Sequence, residues 1–144
     1  EVGSVEDFDP RSTYVVKDIL REAMKRGSNR RRTESISRND FGGKTGTTND
    51  SISTWFSGFH KDLVTTVWVG TDDFTSLGKD EYGSTIALPI WLNYMDFKLK
   101  SLEITKKEIP ENISFVRVNK NTGEIDTESL ENTYFELFLD ENIN

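Results

Sequence analysis

Three strand-like runs follow one another with almost nothing between them. Phe41 to Thr48, Thr54 to Phe59 and Leu63 to Gly70 are rich in β-branched and aromatic residues, and only Asn49-Asp50-Ser51 and His60-Lys61-Asp62 serve as connections. A parallel pairing needs a crossover of about a dozen residues, so neighbours this close must run antiparallel. In the third run Leu63, Thr65, Val67 and Val69 fall on one face while Val64, Thr66 and Trp68 fall on the other. Both faces therefore call for cover, which is the signature of a strand inside a sheet. If the strands lie in sequence order, the third needs a further neighbour, and no remaining segment supplies a matching central strand. The expectation is that an N-terminal part of the domain precedes this chain. Glu1-Val2-Gly3-Ser4, which lacks the basic-then-apolar start of a signal peptide, points the same way.

Helical signals flank the strands. Asp9 suits an N-cap, Pro10 the first turn and Gly27 a left-handed stop, which predicts a helix from about 10 to 26. Val16, Ile19, Leu20, Ala23 and Met24 recur at helical spacing and should face a core, with Lys17, Arg21, Lys25 and the acids outward. Ser28 to Arg32 reads as an exposed loop. A second helix is expected after Ser84, its N-cap candidate, with Ile86, Ile90, Trp91, Tyr94, Met95 and Leu99 on its apolar side and a kink at Pro89. Beyond residue 101, a hairpin is expected between Ile113 to Val118 and Glu124 to Asp126. Thr133 to Leu139 should then form a short helix or extended segment bringing Tyr134, Phe135, Leu137 and Phe138 to an apolar surface.

Composition removes whole classes of function. The 144 residues carry a net charge of −7, which argues against nucleic acid as the main partner because phosphate neutralisation needs a basic surface. Lys and Arg nevertheless gather between residues 17 and 38, a block able to draw an anionic ligand inward or simply to form a solvated face. No cysteine is present, so disulfides and thiolate metal clusters are excluded. A single histidine, His60, rules out multi-histidine metal sites; its place between two strands reads as a surface turn. Asp72, Asp73, Asp80 and Glu81 lack the glycine and ligand spacing of a calcium loop and read as a solvated loop. The longest apolar run, about Ile86 to Trp91, is far below the ~20 residues that span a bilayer.

The chemistry concentrates in Phe41-Gly42-Gly43-Lys44-Thr45-Gly46-Thr47-Thr48-Asn49-Asp50. One cation sits among bare glycine backbone and small hydroxyls, a combination suited to gripping a carboxylate and a polarised carbonyl. On a strand, Lys44, Gly46 and Thr48 point one way and Thr45 and Thr47 the other. Only an edge position would offer amides and hydroxyls to one ligand. Gly43-Lys44-Thr45 also ends like a phosphate loop. That pattern needs a glycine five places before Gly43, where Arg38 stands, and a helix after the lysine, where a strand-like run follows. A glycine-rich strand carrying a solvated lysine is the plain alternative.

Lys44-Thr45-Gly46-Thr47-Thr48-Asn49-Asp50, Trp55-Phe56-Ser57-Gly58-Phe59, Val67-Trp68-Val69-Gly70 and Ala87-Leu88-Pro89-Ile90-Trp91 form an ordered series. It closely resembles the C-terminal part of the transpeptidase domain of bifunctional class A penicillin-binding proteins, most like their 1A type. The resemblance implies an α+β fold, an antiparallel sheet flanked by helices as in serine β-lactamases and transpeptidases, present only as its C-terminal part. Residues 1–100 would belong to the transpeptidase domain and 101–144 to a C-terminal extension.

The implied activity is serine acyl transfer from the terminal D-Ala-D-Ala of a peptidoglycan stem peptide to a neighbouring strand, with β-lactam antibiotics as acylating mimics. Lys44 would stabilise charge and shuttle protons, Thr45 and Thr47 would hold the carboxylate, the Thr47 amide would serve the oxyanion, and Gly46 would keep the strand clear. No cofactor is implied; the upstream part of the same domain would be the partner, on the periplasmic face of the inner membrane with the anchor outside this chain.

The family's serine-x-x-lysine and serine-x-asparagine motifs belong upstream of the box. Ser76-Leu77-Gly78-Lys79 follows the box, and Ser37-Arg38-Asn39 lies too close to Lys44 to face it from another wall. Ser51 to Trp55 and Thr71 also depart from the family pattern. A serine β-lactamase and a non-catalytic carboxylate-binding module stay open beside the transpeptidase reading.

Overall fold

The computed structural model describes residues 8–27, 29–126, 128 and 131–143; the N-terminal readings on residues 1–4 and the reading of Ser28 lie outside them. Helix α1 (Pro10–Arg26) and the single turn α2 (Arg30–Thr33) lead into strands β1 (Gly42–Thr47), β2 (Ser53–His60) and β3 (Leu63–Gly70). Helix α3 (Ala87–Leu99) and strands β4 (Ile113–Asn119) and β5 (Thr133–Leu139) complete the chain. The described chain falls into two compact units. One is Asp18–Lys107, and the other joins the residues up to Lys17 to those from Glu108 onward.

Within Asp18–Lys107 the sheet is antiparallel in the order β1-β2-β3, as the short connections demand. The β1–β2 connection is tight, with Asp50 and Ser51 both in the left-handed region (φ 56° and 51°). Such a backbone costs about 1 kcal/mol or more per residue and persists only where neighbours hold it. Here the Ser76 hydroxyl donates to the Asp50 carbonyl (2.6 Å) and the Leu77 amide to the Ser51 carbonyl (2.9 Å).

Helix α3 covers one sheet face. Trp91 is wholly buried, its ring 4.9 Å from that of Phe56 and 5.8 Å from that of Phe41, and its Nε1–H donates to the Thr65 carbonyl at 3.0 Å. Gly58 makes this possible, because a Cβ there would lie 2.4 Å from the indole. Leu88, Leu92, Met95 and Leu99 fill the same core, joined by Met24, Ile36 and Phe41.

Several expectations need correction. Only the end of the α1 stripe reaches a core: Met24 is buried as expected, but Val16 and Ile19 are about half exposed, and Asp18 and Arg21 are buried beside it. Asp18 is buried because Lys107 reaches it, and Arg21 because its guanidinium lies over the Phe59 ring. Gly27 ends the helix without left-handed φ, its amide still donating to the Ala23 carbonyl. Residues 30–33 form a helical turn where a loop was expected. Ser84 does not cap α3; Ile86 occupies that place, and the Leu88 amide is satisfied by the Gly83 carbonyl at 2.8 Å. Pro89 is the third residue of α3, where its missing N–H costs nothing.

One face of β3 is uncovered among the described residues, with Val64 and Trp68 exposed. In the other unit β4 pairs with β5 over its whole length, and residues 124–126 contribute only the bridge between Val118 and Ile125. Asp9 caps α1 by accepting from the Arg11 amide (2.8 Å), and Arg11 in turn pairs with Asp9 and Glu141.

Candidate active site on the edge of the sheet

Strand β1 pairs on one side only among the described residues. The Thr48 amide donates to the Ser53 carbonyl (3.0 Å), which fixes the ladder phase of the strand. Because an antiparallel strand alternates its hydrogen-bonding side, Gly46 and Lys44 also direct their backbone at β2. Thr45 and Thr47 direct theirs at the free edge. Two amide donors and two carbonyls thus stand on one rim with no ladder partner.

The side chains divide across this rim. Thr45 shares a row with Phe56 and Thr47 with Thr54, on the face that α3 covers. Lys44 shares a row with Ser57 and Thr66, whose hydroxyls meet at 2.8 Å on the opposite face, and Gly46 sits beside Trp55. The Lys44 ammonium folds over the rim and donates to the Thr45 carbonyl at 3.1 Å. It forms no ion pair among the described residues, so its charge stands on the same rim as the two edge amides. A groove of about 150 Å³ lined by Ala23, Met24, Gly27, Asn29, Gly43, Lys44 and Thr45 opens beside it.

Residues 71–86 form the wall at the far end of β1. Besides the bonds to Asp50 and Ser51, the Gly83 amide donates to the Thr47 hydroxyl at 3.0 Å. Tyr82 donates its hydroxyl to Asp80, which raises the pKa of the phenol. No motif spacing links position 83 to position 47, so sequence reading passed over this contact.

Half of the basic block is taken up in ion pairs. Lys25 and Arg26 pair with Glu22, Arg30 pairs with Glu34, and Arg38 is taken up in a buried cluster. That cluster overturns the reading of His60 as a surface turn. His60 is the last residue of β2, 2% exposed, with Nε2 at 3.1 Å from the Asp40 carboxylate and 3.1 Å from the Thr105 hydroxyl. The Asp62 amide approaches Nδ1 at 3.4 Å and the Arg38 guanidinium lies 3.2 Å from Nε2, so the ring is enclosed by polar partners on both nitrogens. Asp40 also accepts from Arg38 (2.6 Å) and from the Thr105 amide (2.7 Å). Burial alone would raise the Asp40 pKa. The Arg38 and Thr105 hydrogen bonds, the guanidinium charge and the His60 bond outweigh it and hold the carboxyl well below the usual range. Arg38 further donates to the carbonyls of Leu99, Leu102 and Glu103, closing the end of α3. The cluster lies away from β1's free edge and binds elements together.

No family model matches the chain. Over 134 residues it is 43% identical to penicillin-binding protein 1A of Pseudomonas aeruginosa, a match covering 93% of the chain and 16% of that protein. Penicillin-binding protein 1A of Neisseria cinerea is 41% identical over 106 residues, 74% of the chain and 13% of that protein. The chain superposes on the 2.6 Å crystal structure of penicillin-binding protein 1A from Haemophilus influenzae with a TM-score of 0.84 and 32% identity, over 92% of the chain and 20% of that structure. The chain is homologous to the C-terminal region of penicillin-binding protein 1A.

It spans about a sixth of the length of the P. aeruginosa penicillin-binding protein 1A, so the site above is one part of a larger molecule in these relatives. The α+β architecture of antiparallel sheets and helices agrees with that relationship. No helix among the described residues is long and apolar enough to cross a membrane, and no three acidic or imidazole side chains converge on a metal-holding arrangement there.

Proposed function

We propose that this chain supplies the Lys44–Thr47 wall of a serine D-Ala-D-Ala transpeptidase site, which cross-links peptidoglycan stem peptides and is acylated by β-lactams. The observation that carries the reading is the free edge of β1, where the Thr45 and Thr47 amides leave the ladder and Lys44 folds over the rim toward Thr45. An extended peptide adds to such an edge through main-chain hydrogen bonds. Its terminal carboxylate is then held by the Thr45 and Thr47 hydroxyls, while the Thr47 amide faces the carbonyl that becomes an oxyanion. Lys44 stabilises the developing negative charge and eases proton transfer to and from the nucleophile. Gly46 keeps the strand clear for the peptide. The nucleophilic serine belongs to the upstream part of the same domain, which packs on the face bearing Trp55, Trp68 and Val64, and this chain alone is inactive. The enzyme works at the periplasmic face of the inner membrane.

A fluorescent penicillin tests this directly. The complete protein should form a covalent adduct and the 144-residue chain none; labelling of the isolated chain would overturn the division of the site. Lys44→Ala in the complete protein should slow acylation by roughly 10²–10³-fold with little change in melting temperature, the size expected for losing a principal charge-stabilising group. Wild-type acylation rates in that variant would remove Lys44 from the mechanism.

A further inference from the structure

We propose that Gly83 is a positioning residue that sets the Thr47 hydroxyl to donate its proton to the ligand carboxylate, and thereby fixes the site's preference for carboxylate-bearing substrates. The inference rests on the reading of Thr47 as a carboxylate-holding residue. A threonine hydroxyl has one proton and two lone pairs, and its rotor is otherwise free to present either to a ligand. The Gly83 N–H occupies one lone pair of Thr47 Oγ1 at 3.0 Å. With that lone pair occupied, the hydroxyl proton must point away from the Gly83 donor, and Thr47 is an exposed residue with room for a ligand. Accepting one hydrogen bond also makes the hydroxyl a better donor in the next.

The amide can do this because the backbone of Gly83 is held on both sides. Its carbonyl accepts from the Leu88 amide at 2.8 Å, and Leu88 is wholly buried in the first turn of α3. The preceding Tyr82 is held from both sides, its amide donating to the Thr85 hydroxyl (2.8 Å) and its carbonyl accepting from the amides of Thr85 and Ile86. Position 83 also has no room for a side chain, since a Cβ would lie 2.5 Å from the Trp55 carbonyl oxygen and 2.6 Å from that of Gly46. The bare backbone of residue 83 therefore lies against β1 and β2 where the two threonines face the rim. A chain of rigid contacts runs from the core helix through Gly83 to one hydroxyl proton.

The test uses the complete protein and the ratio of second-order acylation rates for benzylpenicillin and its methyl ester, which lacks the carboxylate charge. An amide-to-ester exchange at Gly83 deletes the N–H without adding an atom, and Gly83→Ala pushes the amide off by steric conflict. Either change should lower the ratio by roughly tenfold, the scale of one misdirected hydrogen bond to a charged group. In a Thr47→Val background the same exchange should lower it no further. If the exchange lowers both rates in parallel and keeps the ratio while Thr47→Val collapses it, the positioning role is overturned and the Thr47 reading stands. If Thr47→Val itself leaves the ratio intact, the underlying reading fails and the inference with it. Because the ester exchange introduces no clash, failure of Gly83→Ala to fold does not leave the proposal untested.

Discussion

Asp40 concentrates more of this chain's polar chemistry than any other buried side chain described here. Four groups converge on its carboxylate: two guanidinium nitrogens of Arg38, the His60 ring and the Thr105 amide. Its pKa is depressed in the folded chain, so the unfolded chain binds more protons at pH values between the folded-state pKa and the ordinary aspartate value, about 4. The stability it contributes is therefore complete above about pH 4 and is lost as the pH falls through the folded-state value. Asp40→Asn should destabilise this chain by about 2–4 kcal/mol at pH 7, because it leaves Arg38 buried without its counter-charge. It should also flatten the fall in urea midpoint between pH 4 and 2. A variant that keeps the wild-type slope in that window would show that other carboxyls dominate acid unfolding. None of this was legible from the sequence, where His60 looks like a turn residue. Its partners lie 20, 22 and 45 positions away, and local pattern carries no trace of contacts at that separation.

At the scale of elements, the sheet was readable and its surroundings were not. Alternation and short connections are local signals, and β2 and β3 appear within a residue of the expected bounds. Asp9 and Pro10 likewise marked the start of α1. Its buried face follows the stripe only at Met24, since the stripe rule assumes apolar residues find the core, whereas Asp18 and Arg21 are buried by partners remote in sequence. Local pattern does not decide between helix and extended chain for Thr133 to Leu139, because the strand it pairs with lies beyond a long connection. The edge placement of β1, which the roles of Lys44 and the two threonines require, is seen in the strand order, but no local pattern announces the Gly83 contact on Thr47.

The sheet's outer face offers a measurement. Trp55 and Trp68 form a cross-strand pair, rings 6.2 Å apart, with 43% and 47% of their surface exposed, while Trp91 is fully enclosed. Iodide should quench the first two in the isolated chain and spare the third, and in the complete protein quenching should fall sharply as the upstream part covers that face. Equal quenching in both would argue that this face stays open to solvent.

For the molecule as a whole, the Arg38 cluster has a consequence in how the polypeptide can be cut. Arg38, Asp40 and His60 precede the 71–86 loop in the chain, while the carbonyls of Leu99, Leu102 and Glu103 and the backbone of Thr105 follow it. Trp91 from the later segment wedges against Phe41 and Phe56 from the earlier one. Phe74, 74% exposed in that loop, is an open target for chymotrypsin. Cleavage there should give two peptides on a denaturing gel that still travel as one species through a gel-filtration column. Adding Asp40→Asn should let them part at lower urea; fragments that separate spontaneously in native buffer would refute the idea. The covalent link through the loop would then be dispensable for holding the two halves together, and the chain could be reassembled from separately made pieces.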